Sequence, residues 1–599
     1  MAPRGDGETS PRVGPSGRPG RLRTVSLLLL IAYVTTFFFG LAAFPLQEPD
    51  EGRYADIARA MATEGDLVTP HLNGIAYFEK PPLAFWLAAG SLRLFGLNEF
   101  AARFPFALSS LLTLLLVDHW SRRTAGNTAG AFAALILATM PLFSLLSRIV
   151  LVDVILTLFT TAALYCFHRH LDTSPPAGPS RRWRLAFWIA VALAFLTKGP
   201  IGLVIPTSSA FLYMVLSGSW RRLPLLLKWD GLLLFVGIAA PWYLLMALRN
   251  PEFLHEFFVE QNLGRLVEGS RFRRQKVVWY YLPVFVAGFL PWSLLVPGWL
   301  LGLFRGKGQE HPGRQHRLLL VSSVVAPLAI FSIAQSKLAY YLLPIAPPLA
   351  LLTGDYLLEV LRTRKDMAGR MTLRARRFLL PISGLLLGIL ALSVLCPVTF
   401  STVLEALIRP FHLDPPSTEV ALHVTKSAIR VCLLALGLVA LLVANRLRQG
   451  DLHGAMLSLM LGGLATLACA PWEAAAVAPL YSVKEVAVAI RENLRPGEEV
   501  LLFGHYLRGV PFYLQRDVVL WEARHAEFGH EVTLDEADGR ALQMDESALR
   551  RLLGRALVVV DRGRDLEELE DLAPSFRMET LYRGYRYLLL RSSAPRPPE

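Results

Sequence analysis

Charge is scarce in this sequence. Only 18% of the 599 residues are Asp, Glu, Lys or Arg, against roughly 25% in an ordinary soluble protein. At the same time 53% are hydrophobic and the mean hydropathy is +0.41. A water-soluble fold has too little interior for that much apolar side chain, which excludes a soluble globular protein. Cysteine is scarce as well. Cys166, Cys396, Cys432 and Cys469 sit in or beside apolar segments without metal-ligand spacing, so they read as packing residues and not as a disulfide framework. The sequence has no nucleotide-binding loop. It also has no recognition motif to accompany its formal net charge of +13, which excludes nucleic acid as the partner. The short alternating segments of a β-barrel are missing too.

What is present is a series of long apolar runs. Crossing the hydrocarbon core takes about 20 mostly apolar helical residues, and Leu27 to Phe44, Leu111 to Val117, Leu135 to Leu146, Leu232 to Leu248 and Leu385 to Leu395 lie in or near such runs. Basic residues cluster between them, and the positive-inside rule accounts for that distribution. Residues Met1 to Arg23 are rich in Gly, Pro, Ser and Arg and read as a disordered cytoplasmic tail. No clear small-residue cleavage site follows the first apolar run, so it is expected to stay as a membrane anchor. Arg122-Arg123, His168 to Arg184, Arg221-Arg222, Arg305 to Arg317, Arg362 to Arg377 and Arg446 to Arg448 then read as cytoplasmic. Glu48 to Pro82, the turn before Asp153, Lys198-Gly199-Pro200, Asn250 to Lys276 and Ser336-Lys337 read as outward. Asn250 to Lys276 is itself basic, with Arg265, Arg271, Arg273 and Arg274, and an anionic ligand would be one reason for that exception.

This alternation predicts an α-helical multi-pass membrane protein of about thirteen transmembrane helices, with the N-terminus cytoplasmic and the C-terminus outside. The transmembrane domain is expected over residues 24–475 and a soluble α/β domain over 476–599. From about Tyr481 the pattern changes: Glu499 to Phe503, Val518 to Trp521, Ala556 to Val560 and Tyr587 to Leu590 look like short strands, between helical stretches such as Val483 to Asn493 and Asp545 to Leu553.

The first outward loop carries the most chemistry. Pro49 suits the first turn of a helix, and Glu48, Asp50 and Glu51 complement its positive end. Tyr54, Ile57, Ala58 and Met61 recur at helical spacing, which predicts an amphipathic helix along the membrane surface. Asp50, Arg53 and Tyr54 share one face of it. Two readings of that face stay open, an ordinary surface ion pair or a site. In Tyr77-Phe78-Glu79-Lys80-Pro81-Pro82 a charged pair is framed by aromatics and a rigid diproline. Lys80 there either snorkels with Glu79 neutralising it, or presents a fixed ammonium to a phosphate. Asp153 is flanked by Val and Leu at the edge of a span, where a carboxylate needs a partner or a task. Arg148 is a candidate partner, and an outer cavity shared with Asp50 is the other option. Ser336-Lys337-Leu338-Ala339-Tyr340-Tyr341 and the stretch Phe257 to Arg265, with Glu260, Gln261 and Asn262, supply further cation and aromatic groups at the same level.

Taken together, five motifs make the sequence resemble the bacterial 4-amino-4-deoxy-L-arabinose transferases, glycosyltransferase family 83. More distantly it resembles the protein O-mannosyltransferases of the GT-C superfamily. The motifs are E-P-D-E-G-R-Y at Glu48 to Tyr54, G-D-L-V-T-P-H-L-N-G-I-A-Y-F-E-K-P-P-L at Gly65 to Leu83, S-R-I-V-L-V-D ending at Asp153, T-K-G-P ending at Pro200 and S-K-L-A-Y-Y ending at Tyr341. The resemblance covers roughly the first 350 residues well, and beyond Gly354 it is one of layout. It implies a GT-C fold in which Asp50 and Asp153 are the acidic site residues and Arg53, Tyr54, Lys80 and Tyr341 bind the donor phosphate. Glu79 matches a carboxylate that can help hold a divalent metal. The aminoarabinose enzymes have a His after the Glu of the second outer loop, whereas this chain has Gln261 after Glu260, which counts against a His-containing zinc site and leaves Glu79, Glu260 or His255 as cation ligands.

The function so implied is transfer of a sugar, aminoarabinose-like or other, from a polyprenyl-phosphate donor to a lipid A, glycan or protein acceptor at the periplasmic face of the inner membrane. Charge builds on the leaving phosphate as the C1–O bond breaks, and Lys80, Arg53 and Arg265 are the cations placed to stabilise it. Asp50 or Asp153 would orient a hydroxyl acceptor and take its proton, or orient the sugar if the acceptor is an ionised phosphate. Direct displacement would invert the anomeric centre. The alternative is a transporter or flippase of an anionic lipid, since intramembrane charges also mark transport paths. Charges gathered at one face, with no obvious inverted repeat, weigh against it.

Overall fold

The computed structural model describes residues 31–171, 180–264, 276–305, 314–363, 434–464, 475–521 and 541–593, with short gaps inside the first and the last three of these ranges. The expected cytoplasmic tail, the run Leu385 to Leu395, Arg265 with Arg271, Arg273 and Arg274, the boundary at Tyr481, and Cys396, Cys432 and Cys469 lie outside the described residues.

The N-terminal part is helical. Its elements are α1 Asp50–Glu64, α2 Leu83–Phe95, α3 Glu99–Ala125, α4 Asn127–Ala138, α5 Val152–Leu171, α6 Arg181–Lys198, α7 Pro200–Leu216, α8 Trp229–Arg249, α9 Arg314–Ile333 and α10 Ala346–Thr363. Four helical stretches among the described residues are long and apolar enough to cross a bilayer: Glu99–Ala125, Trp229–Arg249, Arg314–Ile333 and Ala339–Glu359. A fifth is bent by 106° between Val278–Gly288 and Trp292–Leu300. The run Leu135 to Leu146 does not form one continuous helix, because α4 ends before Thr139 and Pro141 opens a separate six-residue helix. Proline at that position suits a helix start and cannot continue the preceding hydrogen-bond ladder.

Interior and exterior faces differ as a bilayer requires. Leu233, Val236, Leu244 and Leu248 project exposed from α8, an apolar surface suited to lipid tails. The inner helices α3, α4, α5 and α10 contribute Phe106, Leu114, Ala133, Ile155, Leu349 and Ala350 to one continuous core. Antiparallel neighbours α5 and α6 pack along their length, as do α3 and α4.

Helix α1 departs from the expected amphipathic surface helix. Residues Glu51 through Met61 are all buried, including Arg53, Asp56 and Arg59. One side packs on α2 and the other on the C-terminal part of the chain, so a polar helix is sandwiched within protein instead of floating on lipid. A short hairpin follows, β1 His71–Leu72 with β2 Ile75–Ala76.

The C-terminal region is a six-stranded sheet. Its strands are β3 Glu499–Phe503, β4 Val519–Trp521, β5 Ala541–Leu542, β6 Ala556–Asp561, β7 Arg577–Arg583 and β8 Tyr587–Ser593, in the order β5-β4-β3-β6-β8-β7. The first four run parallel, with Leu501 opposite both Val519 and Val558; β6, β8 and β7 pair antiparallel. Its helices are α11 Lys484–Asn493, α12 Gly509–Leu514, α13 Glu546–Leu553 and α14 Arg564–Leu572. All four expected strands are there, while β5, β7, α12 and α14 were not anticipated. The central strands are apolar on both faces because both are covered. Val500, Leu502, Leu557 and Val559 join α11 and the core shared with the helical bundle. Leu501, Phe503, Val558 and Val560 meet α13 and α14 on the other side.

Candidate active site

At one end of the bundle five separate stretches of chain converge on a small polar cleft of about 280 Å³, partly open to solvent. Helix α1 supplies Asp50, Arg53 and Tyr54, and the loop after β2 supplies Glu79 and Lys80. Asp153 comes from the first turn of α5 and Lys198 from the last residue of α6. A 3-10 turn over Ala339–Ile345 closes it with Tyr340 and Tyr341. The charges balance at three acids against three bases, and each carboxylate has a cation nearby.

The pairings are specific. Lys198 Nζ donates to Asp153 Oδ1 at 2.6 Å, while its ammonium lies 4.4 Å from the centre of the Tyr341 ring. Asp153 therefore takes its partner from the adjacent helix α6, and a pair with Arg148 is not needed to explain its burial. Arg53 stands 3.7 Å from Asp50 and 3.9 Å from Glu79, and Lys80 lies 3.5 Å from Glu79. Tyr340 donates its hydroxyl to Asp50 at 3.4 Å. On α1 burial pushes the Tyr54 hydroxyl well above its ordinary range, with Asp50 adding to the effect, so it stays a neutral hydrogen-bonding phenol.

Local sequence explains how these groups are held. In T-K-G-P, α6 ends at Lys198, Gly199 takes φ 68°, and Pro200 opens α7. A side chain at Gly199 would strike the Phe257 ring at 2.5 Å as well as strain the backbone, so glycine is required there. In Y-F-E-K-P-P, Tyr77 and Phe78 are buried anchors, and Pro82 caps α2 immediately after the charged pair.

Beneath the cleft, Glu51 and Arg103 form a buried fork. Arg103 donates to both Glu51 oxygens at 2.8 and 2.7 Å, and to the carbonyls of Leu41, Phe44 and Pro45 at 2.8, 2.6 and 2.9 Å. Glu51 also accepts from the backbone N–H of Val150 at 2.9 Å and of Gln47 at 3.0 Å. One carboxylate thus ties the loop before Asp50 to the loop before Asp153. It also lies in the first turn of α1, where the sequence placed it to complement the positive helix end.

A sequence model of the dolichyl-phosphate-mannose-protein mannosyltransferase family matches residues 79–244. The undecaprenyl phosphate-alpha-4-amino-4-deoxy-L-arabinose arabinosyl transferase of Aeromonas salmonicida is 33% identical over 373 residues, 62% of this chain and 66% of that protein. A second transferase of the same description, from Pseudomonas fluorescens, is 34% identical over 340 residues, 55% of this chain and 56% of its own length. The chain thus matches less than two thirds of the length of these curated relatives. In three dimensions the likeness is fuller. The crystal structure of ArnT from Cupriavidus metallidurans bound to undecaprenyl phosphate aligns with a TM-score of 0.79 at 25% identity, over 95% of this chain and 98% of that one. In sequence and in fold the chain is ArnT-like.

Of the site residues expected in this ArnT-like chain, Asp50, Asp153, Arg53, Tyr54, Lys80, Tyr341 and Glu79 all line the one cleft. Arg265 lies outside the described residues. Lys198 and Tyr340 were passed over, although both sit inside motifs the sequence had singled out; Lys337, in the second of those motifs, donates to backbone carbonyls of Ala334 and Lys276. Position in a loop could not say which of two lysines turns inward. A metal fits poorly. Glu79 is placed between the cations of Arg53 and Lys80, and no group of three His, Cys, Asp or Glu side chains among the described residues is arranged to hold an ion. No step is assigned to a metal on that donor set.

Proposed function

We propose that this ArnT-like chain moves a glycosyl group from a polyprenyl-phosphate sugar to an acceptor at the outer face of the inner membrane. The observation that carries this reading is the meeting of Asp50 and Asp153 with Arg53, Lys80 and Lys198 in one cleft at the end of a membrane bundle. Arg53 and Lys80 receive the donor phosphate and stabilise the charge that grows on it as the sugar leaves. Asp50 and Asp153 face the sugar and the acceptor, each oriented by its own cation. Asp153, hydrogen-bonded to Lys198, is held in one rotamer. Asp50, with only a long bond from Tyr340 and a loose contact with Arg53, is the freer of the two to take a proton from an acceptor hydroxyl. With a phosphate acceptor no base is needed and Asp50 orients the sugar. Attack from the face opposite the phosphate inverts the anomeric carbon.

The reading includes about thirteen spans, a cytoplasmic N-terminus and a periplasmic, soluble C-terminal sheet domain. The relatives' descriptions make undecaprenyl phosphate-linked 4-amino-4-deoxy-L-arabinose the donor to try first, and lipid A is one of the acceptor classes the sequence left open. Purified protein in detergent, given that donor and lipid A, is expected to yield a product heavier by one sugar in mass spectrometry. Absence of any new glycosidic bond across a panel of polyprenyl-phosphate sugars and acceptors, with movement of the donor across proteoliposomes instead, would support a flippase and overturn the proposal. An active cytoplasmic reporter fused after Arg591 would overturn the orientation.

A further inference from the structure

Helix α1 presents two different polar faces. Asp50, Arg53 and Tyr54 look into the cleft. Gly52, Asp56 and Arg59, at helical spacing on the opposite side and continued by Glu48 just before the helix, look toward the C-terminal sheet. That second face is bonded and not merely covered. Glu48 accepts the backbone N–H of Gly509 at 2.6 Å and of Arg508 at 3.1 Å, with the Arg508 guanidinium 4.0 Å away. Its side chain is only 15% exposed. Farther along, Arg59 donates to Asp517 at 2.8 Å, and the Asn73 side chain exchanges hydrogen bonds with the backbone of Val518 at 2.9 and 2.8 Å.

The approach at Glu48 is backbone to backbone. A Cβ added at Gly52 would come within 2.7 Å of the Gly509 nitrogen, and one added at Gly509 would lie 2.7 Å from Glu48 Oε1 and 3.0 Å from Val483. Two glycines thus let α12 of the sheet region close on the first turn of α1, and the Glu48 carboxylate fastens the contact. Asp50 is two residues away on the cleft side. The peptide that carries the fastening therefore leads directly into the one that carries the site acid.

We propose that Glu48 is a positioning residue, through which the Arg508-Gly509 turn of the C-terminal sheet holds the first turn of α1, and so Asp50 and Arg53, in register with Asp153 and Lys80. The inference rests on the transferase reading for its kinetic test, because the quantity protected is the geometry of the reacting groups. It differs from a plain docking role in where the loss should fall. Glu48 does not line the cleft, so its removal acts through the groups it positions, lowering turnover through Asp50 and, to a smaller extent, donor affinity through Arg53.

The test uses the full-length protein with Glu48→Gln, Glu48→Ala, Gly509→Ala and Lys484→Ala. Lys484 donates to Glu99 at 2.6 Å and ties the same sheet region to α3. Misplacement of reacting groups by about 1 Å costs on the order of 100-fold. Glu48→Ala and Gly509→Ala should lower kcat by roughly 10- to 100-fold with a smaller rise in KM for the donor, Glu48→Gln should fall between them and wild type, and Lys484→Ala should leave kcat unchanged. Hydrogen exchange of the peptide covering residues 48–60 should quicken in the first two and not in Lys484→Ala. Wild-type kcat in Glu48→Ala, a rise in KM alone, or an equal loss in Lys484→Ala would overturn the proposal. If wild-type protein forms no product from any polyprenyl-phosphate sugar, the transferase reading fails by itself. Exchange then decides the fastening, and unchanged protection of residues 48–60 in Glu48→Ala overturns it.

Discussion

Replacing Glu51 by Gln tests the foundation of the cleft without touching its lining. Four N–H groups point at this carboxylate: two from the Arg103 guanidinium at 2.7 and 2.8 Å and the backbone donors of Val150 and Gln47 at 2.9 and 3.0 Å. Gln keeps the shape but replaces one acceptor oxygen by an NH2 that faces two of these donors. Arg103 is fully buried and Glu51 nearly so, so the guanidinium charge loses its counter-charge where water cannot substitute. Breaking a buried pair on one side costs about 3–5 kcal/mol, and each stranded donor about 1–3 kcal/mol. The two figures describe overlapping losses, so we take about 3–5 kcal/mol for the whole. Arg103→Lys should cost nearly as much, because one ammonium cannot reach a carboxylate and three carbonyls from a single point. The assay is thermal unfolding in detergent followed by size-exclusion recovery, with product formation measured below the transition. A melting temperature equal to wild type in both variants would refute the claim that this fork holds the loops of Asp50 and Asp153 together.

Lys198→Met leaves the Asp153 carboxylate without its hydrogen-bonded cation and should remove most turnover with insertion unchanged, a result checked against expression and detergent elution; full activity would detach Lys198 from the site. Lys80→Ala should likewise lose most activity in a folded protein, and Lys80→Arg should keep only part, since a planar fork replaces a compact ammonium. Asp50→Asn and Asp153→Asn should each abolish nearly all turnover, and the double variant should cost little more if the two act as a unit. Losses that multiply would show separate roles. Burial pushes the Glu48 carboxyl from its ordinary 4.5 up to about 7. A raised pKa means the folded state holds the proton more tightly, so this contribution to stability is complete below about pH 4.5 and lost as pH rises through about 7. Melting temperature measured across that window should fall more steeply in wild type than in Glu48→Gln, and parallel slopes would remove Glu48 as the source.

The sequence alone pointed to the solvent and to residues that the structure brings to one cleft. Scarce charge and long apolar runs require a bilayer whatever the packing, because unpaired backbone and apolar side chains leave no other stable arrangement. Short continuous apolar runs named the four principal strands. Motif spacing brought Asp50, Arg53 and Tyr54 onto one helical face, and types such as Lys80 and Asp153 at span edges stood out because a charge there is costly without a task. Only the tertiary structure decided which charges meet. The partner of Asp153 is 45 residues away, and that of Glu48 is 460 residues away. Helical periodicity stops at the helix end and says nothing about which element lies across the gap. The same limit hid α1 itself: its sequence reads as an amphipathic surface helix, yet Glu51 through Met61 are all buried, because Glu51 and Arg59 find partners in Arg103 and Asp517 instead of water. Burial of a polar side chain depends on the donor or acceptor placed opposite it, and that is fixed by packing between distant segments.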